Sequence, residues 1–175
     1  MKRSERGFTL IELLVVTAIV ALIGVAAAMA SFQVINVTKR SNDHTTVIRQ
    51  VQNAGYWISH DTQMAQAVVI GDDSETPELE FITFKWSNWE NGDVHKIAHN
   101  FEDMPSGLKK LKRQHLIYDA DGVEIGSETT LVAQYIDSAT FAEQDGVWKL
   151  TIQARSGTET ETREYEVNPR VNNKG

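Results

Sequence analysis

The chain has no cysteine and only three prolines among its 175 residues. The first absence excludes disulfides, thiol nucleophiles and cysteine-based metal sites. It does not assign a reducing compartment, because a domain of this size folds without disulfides. The prolines are Pro77, Pro105 and Pro169, so none interrupts residues 8–76. One continuous helix is therefore allowed over that stretch. Charge is missing from the N-terminal part: between Phe8 and Ile35 the only ionisable side chain is Glu12. Basic residues are in the minority, 17 Lys and Arg against 24 Asp and Glu, for a net charge of −7. That balance argues against nucleic-acid binding as the main task, since phosphate contacts favour basic patches. The sequence has no glycine-rich nucleotide motif, no internal repeat and no low-complexity linker.

The N-terminus has a short basic leader, Lys2, Arg3 and Arg6 against one Glu5, followed by a long apolar run. An apolar helix of about 23–28 residues spans roughly 35–42 Å, enough to cross a bilayer. The leader's positive charges place the N-terminus in the cytoplasm and the rest of the chain outside. A charge inside such a span is costly, about 2.5–3.5 kcal/mol for Asp, Lys or Arg at the helix centre, so Glu12 suggests a function. A secretory signal peptide would have a shorter apolar region followed by small residues. Ala26, Ala27, Ala28 and Ala30 imitate such a site, but that reading leaves Glu12 and Gly7-Phe8 unexplained. A plain membrane anchor leaves Glu12 facing lipid without a stated partner.

The run Gly7-Phe8-Thr9-Leu10-Ile11-Glu12-Leu13-Leu14 resembles the type III leader of type IV prepilins and pseudopilins. The resemblance implies cleavage by a prepilin peptidase between Gly7 and Phe8, and N-methylation of the new Phe8 amine. Cleavage would set that amine four residues from Glu12, about 6 Å along a helix axis. An ammonium and a carboxylate, each costly alone in apolar surroundings, become tolerable as a pair. The resemblance further implies that Glu12 of an incoming subunit faces the Phe8 amine of its neighbour and sets assembly register. Many major pilins carry a proline in the apolar half; this chain does not, which leans toward a minor subunit. The later part is similar to the J-type minor pseudopilins and the W-type minor pilins. That likeness is diffuse: the segment Tyr56-Trp57-Ile58-Ser59-His60-Asp61 running to Gln66-Ala67, then Leu111-Lys112-Arg113, then Val167-Asn168-Pro169-Arg170.

Past the apolar run, Ile48, Val51, Gly55, Ile58, Thr62, Ala65 and Val69 recur at spacings of three and four. They predict one amphipathic stripe on a helix reaching about residue 70, with Gly24, Gly55 and the stretch 38–46 as soft points. Gly71-Asp72-Asp73-Ser74 and then Pro77 mark its end and a loop. Strand alternation follows in Ile82, Phe84 and Trp86, in His95, Ile97, His99 and Phe101, and most cleanly in Trp148, Leu150, Ile152 and Ala154. Tyr165 and Val167 close the sheet, and Leu131 to Phe141 is ambiguous between strand and short helix. Asn91-Gly92, Asp121-Gly122 and Asp145-Gly146 are hairpin dipeptides. The expected fold is α+β and pilin-like: a long N-terminal helix and a C-terminal antiparallel sheet. The expected parts are leader 1–7, membrane or filament-core helix 8–35, exposed helix half 36–70 and β-rich head 71–175.

Other constellations have bland explanations. Ser59-His60-Asp61 contains triad residue types, but adjacent helical residues diverge by about 100° and triads assemble by geometry. His95 and His99 on one strand stand about 13 Å apart, too far for one metal. Asp119-Ala120-Asp121-Gly122 begins like a calcium loop but lacks the later acidic ligands; a hairpin turn explains it. Gly71 to Glu75 reads as a solvated turn. Trp86 fits core packing, while Trp89 stands in a polar loop. Lys109, Lys110, Lys112 and Arg113 are the one basic cluster, explained by a solvated strand with protective charges. The sequence thus points to a non-enzymatic minor pilin or pseudopilin without cofactor or metal. Its expected partners are other pilin or pseudopilin subunits, a prepilin peptidase, an inner-membrane assembly platform and lipid; nucleic acid is not expected. It would sit in the cytoplasmic membrane as a single-pass protein, then in a pilus or pseudopilus. A DNA-uptake or adhesion pilin and an unrelated membrane-anchored extracytoplasmic domain remain as alternatives.

Overall fold

The computed structural model describes residues 9–71 and 80–168. One helix, α1 (Leu10–Met64), precedes seven strands: β1 (Ala67–Ile70), β2 (Glu80–Ser87), β3 (Val94–Asp103), β4 (Lys109–Tyr118), β5 (Glu124–Gln144), β6 (Val147–Ser156) and β7 (Glu159–Val167). The strands form one antiparallel sheet in sequence order, β1 to β7. This is the expected α+β, pilin-like class. By its internal contacts the chain divides into two units, residues 1–42 and 43–175.

In the first unit the stretch of α1 from Leu13 to Ala30 carries no charged residue and is exposed throughout. The most apolar 18-residue window of α1 has a mean hydropathy of 2.7 and none of it is buried. Two hydroxyls of this unit bond to their own helix. Thr17 Oγ1 donates to the Leu14 carbonyl at 2.9 Å and Ser31 Oγ to that of Ala27 at 3.0 Å.

In the second unit α1 presents one buried face, Val47, Val51, Ala54, Gly55, Ile58, Asp61 and Thr62. The predicted stripe is met, with Val47 rather than Ile48 at its start. Opposite stand Ile82 and Phe84 of β2, Ile97 of β3, Leu111 of β4, Ala133, Ile136 and Phe141 of β5, and Leu150, Ile152 and Ala154 of β6. Burying one such large apolar side chain contributes about 1.5–3 kcal/mol, so this face fixes the helix on the sheet.

The helix ends at Met64 rather than about residue 70. The chain turns at Ala65-Gln66, and the β-branched run Val68-Val69-Ile70 pairs with β2 instead. Gln66 secures the turn. Its N–H donates to the Lys85 carbonyl at 2.9 Å, and its side-chain oxygen accepts the Ser87 N–H at 3.1 Å. Gly71 therefore follows a strand, not a helix. Asp72, Asp73, Ser74, Glu75 and Pro77 lie outside the described residues, as do Pro169 and Arg170.

The ambiguous segment Leu131 to Phe141 is strand, inside the 21-residue β5. Tyr135 adopts φ 60°. Around that break β5 passes from pairing with β4 to pairing with β6, with Ile136 paired to both. Gln50 of α1 accepts the Gln134 N–H there at 2.7 Å. The Asp145-Gly146 turn joins β5 to β6 with φ of 55° and 80°, the double positive φ of a type I′ hairpin.

The expected soft points do not interrupt α1. Gly55 is instead a packing seat. The Tyr165 ring lies over it, and the Tyr165 hydroxyl donates to the Val51 carbonyl at 3.1 Å. A Cβ on residue 55 would stand 2.1 Å from Tyr165 Cζ. Gly55→Ala should therefore destabilise the head by about 1–3 kcal/mol through overpacking. Adding Tyr165→Val should recover part of the loss. Urea unfolding of the full-length protein in detergent, followed by near-UV circular dichroism, checks this; an unchanged midpoint in Gly55→Ala would refute it.

Candidate functional site

The N-terminal segment holds the first candidate. Thr9 is the N-cap of α1 and Glu12 stands three residues on. Glu12 Oε2 accepts both the Thr9 N–H and the Thr9 hydroxyl at 2.9 Å, and the Glu12 N–H donates to Thr9 Oγ1 at 3.3 Å. This reciprocal pair is a capping box, which satisfies amides that the first helical turn leaves open. The sequence reading missed this partner, although Thr-x-x-Glu before an apolar run is its signature. Glu12 needs no cleaved amine to be hydrogen-bonded. Gly7 and Phe8, the expected cleavage and methylation residues, lie outside the described residues. Leu10, Ile11, Leu13 and Leu14 beside Glu12 are all exposed.

In the head Asp61, on the last turn of α1, is buried at 1% exposure; Glu80 and Lys96, which pair with each other, are buried too. Asp61 accepts from Arg113 Nε at 2.8 Å, Arg113 Nη2 at 3.0 Å and His99 Nε2 at 2.8 Å. The helix end is thus tied to β4 and β3 at once. Trp57, one turn back, lies under the guanidinium at 5.0 Å. Burial pulls the Asp61 carboxyl upward, but the hydrogen bonds from His99 and Arg113 outweigh it and hold the group below the ordinary carboxylate range. For His99, wholly buried, desolvation dominates and pushes the imidazole down despite Asp61. The neutral ring donates through Nε2; its Nδ1 has no partner among the described residues.

This network accounts for three sequence candidates. Ser59-His60-Asp61 is not a triad: Ser59 Oγ has no partner among the described residues, and His60 Nδ1 is 3.5 Å from Asp61. A triad needs the nucleophile bonded to its base. The basic cluster is tied down by two carboxylates and a ring. Arg113 is held by Asp61, Lys110 and Lys112 both pair with Glu102, and Lys109 lies over the Phe101 ring at 5.7 Å. His99 packs inward against Phe84, whereas His95 stacks on Trp86 with ring centroids 5.1 Å apart, so the two do not share a site. As the side chains stand, no group of three or more His, Asp or Glu among the described residues is already gathered to hold a metal. Asp119 Oδ1 accepts the N–H groups of Asp121 and Val123, which makes that segment a turn. Trp86 is half-buried and Trp89 is 90% exposed.

Residues 2–28 match the family model of the prokaryotic N-terminal methylation motif. No curated protein and no solved structure matches the chain. The chain therefore carries a type IV prepilin-like leader. The match ends within the apolar half of α1, so the assignment concerns the N-terminal segment.

Asp61→Ala would leave Arg113 and His99 without their acceptor and should cost about 3–5 kcal/mol of head stability. Acid should act in two stages. The His99 pKa is lower in the folded state, so the unfolded chain holds more protons below about pH 6.5; stability is complete above that value and is lost as pH falls. The slope for one such group is at most about 1.4 kcal/mol per pH unit. Asp61, depressed on folding, adds a second loss only below its ordinary range near pH 4. Burial and Arg113 lower His115 too, so His99→Gln should flatten the first stage without abolishing it. Urea midpoints between about pH 7.5 and pH 5 measure this; an identical slope in His99→Gln would be inconsistent with it.

Proposed function

We propose that this chain is a minor pilin or pseudopilin, a structural subunit of a type IV pilus or a type II secretion pseudopilus. The observation that carries the reading is the apolar half of α1. It follows a methylation-motif leader and has no cover of its own. In water that surface would be exposed at high cost; in a bilayer, or among identical helices, it is the contact surface. A basic leader of residues 1–7 is removed by a prepilin peptidase between Gly7 and Phe8, and Phe8 is N-methylated. Residues 8–35 then serve as membrane span and filament core, with the head outside the cytoplasmic membrane. The later helix half and the sheet form that head.

Other pilin or pseudopilin subunits, an inner-membrane assembly platform and lipid are its partners. The motif belongs to structural subunits rather than enzymes, and the chain works without cofactor. The pairing of Lys110, Lys112 and Arg113 with carboxylates speaks for a structural head over one that binds nucleic acid. Glu12 keeps its cap with Thr9 and offers its second oxygen to the Phe8 amine of a neighbour.

Mass spectrometry of the protein made with and without its peptidase tests this reading. The expected product begins at N-methyl-Phe8 and is lost in a Gly7 variant. Glu12→Gln should be cleaved normally yet be depleted from filaments. An intact Met1 terminus, or a cut after the 26–30 alanine region, with an active peptidase present would sink the proposal.

A further inference from the structure

We propose that His95, His115 and Glu128 form a binding site for a divalent transition metal of the Zn²⁺ class. The three residues stand on adjacent strands, β3, β4 and β5. His115 is the direct cross-strand partner of Glu128; His95 pairs with Ile117 and so sits diagonal to His115 on the same face. Directly opposed side chains have Cβ atoms about 4.5–5.5 Å apart, within a glutamate's reach of a metal held by His115.

The two imidazoles already meet: His95 Nδ1 lies 3.0 Å from His115 Nε2. Their ring centroids are 5.3 Å apart, with planes 29° from parallel. These values place the rings nearly edge to edge, sharing one proton in an N–H···N bond. Two nitrogens bound to one tetrahedral Zn²⁺ at about 2.0–2.1 Å lie about 3.3 Å apart. A small pivot of the rings therefore converts the shared-proton pair into a two-nitrogen chelate. The proton between them moves to the outer nitrogen of its own ring, so both rings stay neutral. Only the two imidazoles are gathered as the side chains stand; the exposed Glu128 must swing in on binding to supply an anionic oxygen, and water completes the shell.

Trp86 gives the pair a rigid backing. It stacks on His95 at 5.1 Å with planes 5° apart, and on His115 at 5.9 Å with planes 30° apart. Ring orientation is thus held before any ion arrives, which lowers the entropic cost of binding. Burial and the charge of Arg113 lower the His115 pKa, which favours the neutral form a metal requires. The donor set of two imidazoles and one carboxylate suits Zn²⁺, Cu²⁺ or Ni²⁺ and disfavours Mg²⁺ and Ca²⁺, which prefer oxygen.

The test is calorimetric titration of full-length protein in detergent with Zn²⁺. One ion per chain is expected. His95→Gln and His115→Gln should each weaken binding about tenfold or more, Glu128→Gln less, and His44→Gln not at all. Imidazole ¹⁵N spectra of the wild type, labelled at its five histidines, provide a readout that no variant's misfolding can blur. The His95 and His115 signals should move together on adding Zn²⁺. Unmoved signals at about millimolar Zn²⁺, or wild-type affinity retained in both histidine variants, would overturn the site.

Discussion

A carboxylate on the last turn of a helix cannot be buried unless its partners arrive from elsewhere in the fold. Asp61 imposes that condition. Its acceptors are filled by His99 of β3 and Arg113 of β4, so the end of α1 has one permitted place over the sheet. Removing a partner would strand a charge at a cost of several kcal/mol, whereas sliding the helix by one residue would strand all three groups. The apolar face from Val47 to Ile58 supplies the attraction, and it alone would tolerate small shifts. The Asp61 network and the Tyr165 ring over Gly55 convert attraction into position. One acts by hydrogen-bond geometry and the other by shape.

Much of the fold was legible because each element repeats its own period. Trp148, Leu150, Ile152 and Ala154 alternate, and β6 follows them. The glycine dipeptides mark hairpins because positive φ is needed there. The end of α1 was not legible, because Ala65 and Val69 happen to continue the helical spacing. What ends the helix is the Gln66 bridge to Lys85 and Ser87, a tertiary bond with no local signature. Leu131 to Phe141 was ambiguous for a related reason. The left-handed Tyr135 breaks the alternation where β5 changes partner, and the amide freed there is met by Gln50, 84 residues away in sequence.

Legibility of the sites divides along the same line. The leader is a contiguous motif and could be read whole. So could the Thr9–Glu12 cap, which the cost of a charge in an apolar run overshadowed. Asp61 was hidden by its neighbours: Ser59-His60-Asp61 invites a catalytic comparison, while its actual partners stand 38 and 52 residues later. The nearness of His95 and His115 depends on the register of β3 against β4, which alternation alone does not determine.

Glu12, in the apolar run, and Asp61, on the buried face, are two carboxylates of one helix, and they solve the same problem oppositely. Asp61 has no amide of its own helix to accept from, so charged and polar groups of the sheet must satisfy it, and the network is closed. Glu12 stands at the helix start, where free amides are available by construction. A single neighbouring threonine satisfies it, and both Thr9 contacts fall on Oε2. Such a group starts the helix at Leu10 without help from any processed terminus. Its other oxygen is not used by Thr9. On the proposed reading, that asymmetry lets one side chain both cap its own helix and accept an amine from the next subunit. A glutamine would keep one acceptor oxygen for Thr9 but would lose the second oxygen and the charge together. Helix initiation and assembly would then separate, with the first retained and the second lost.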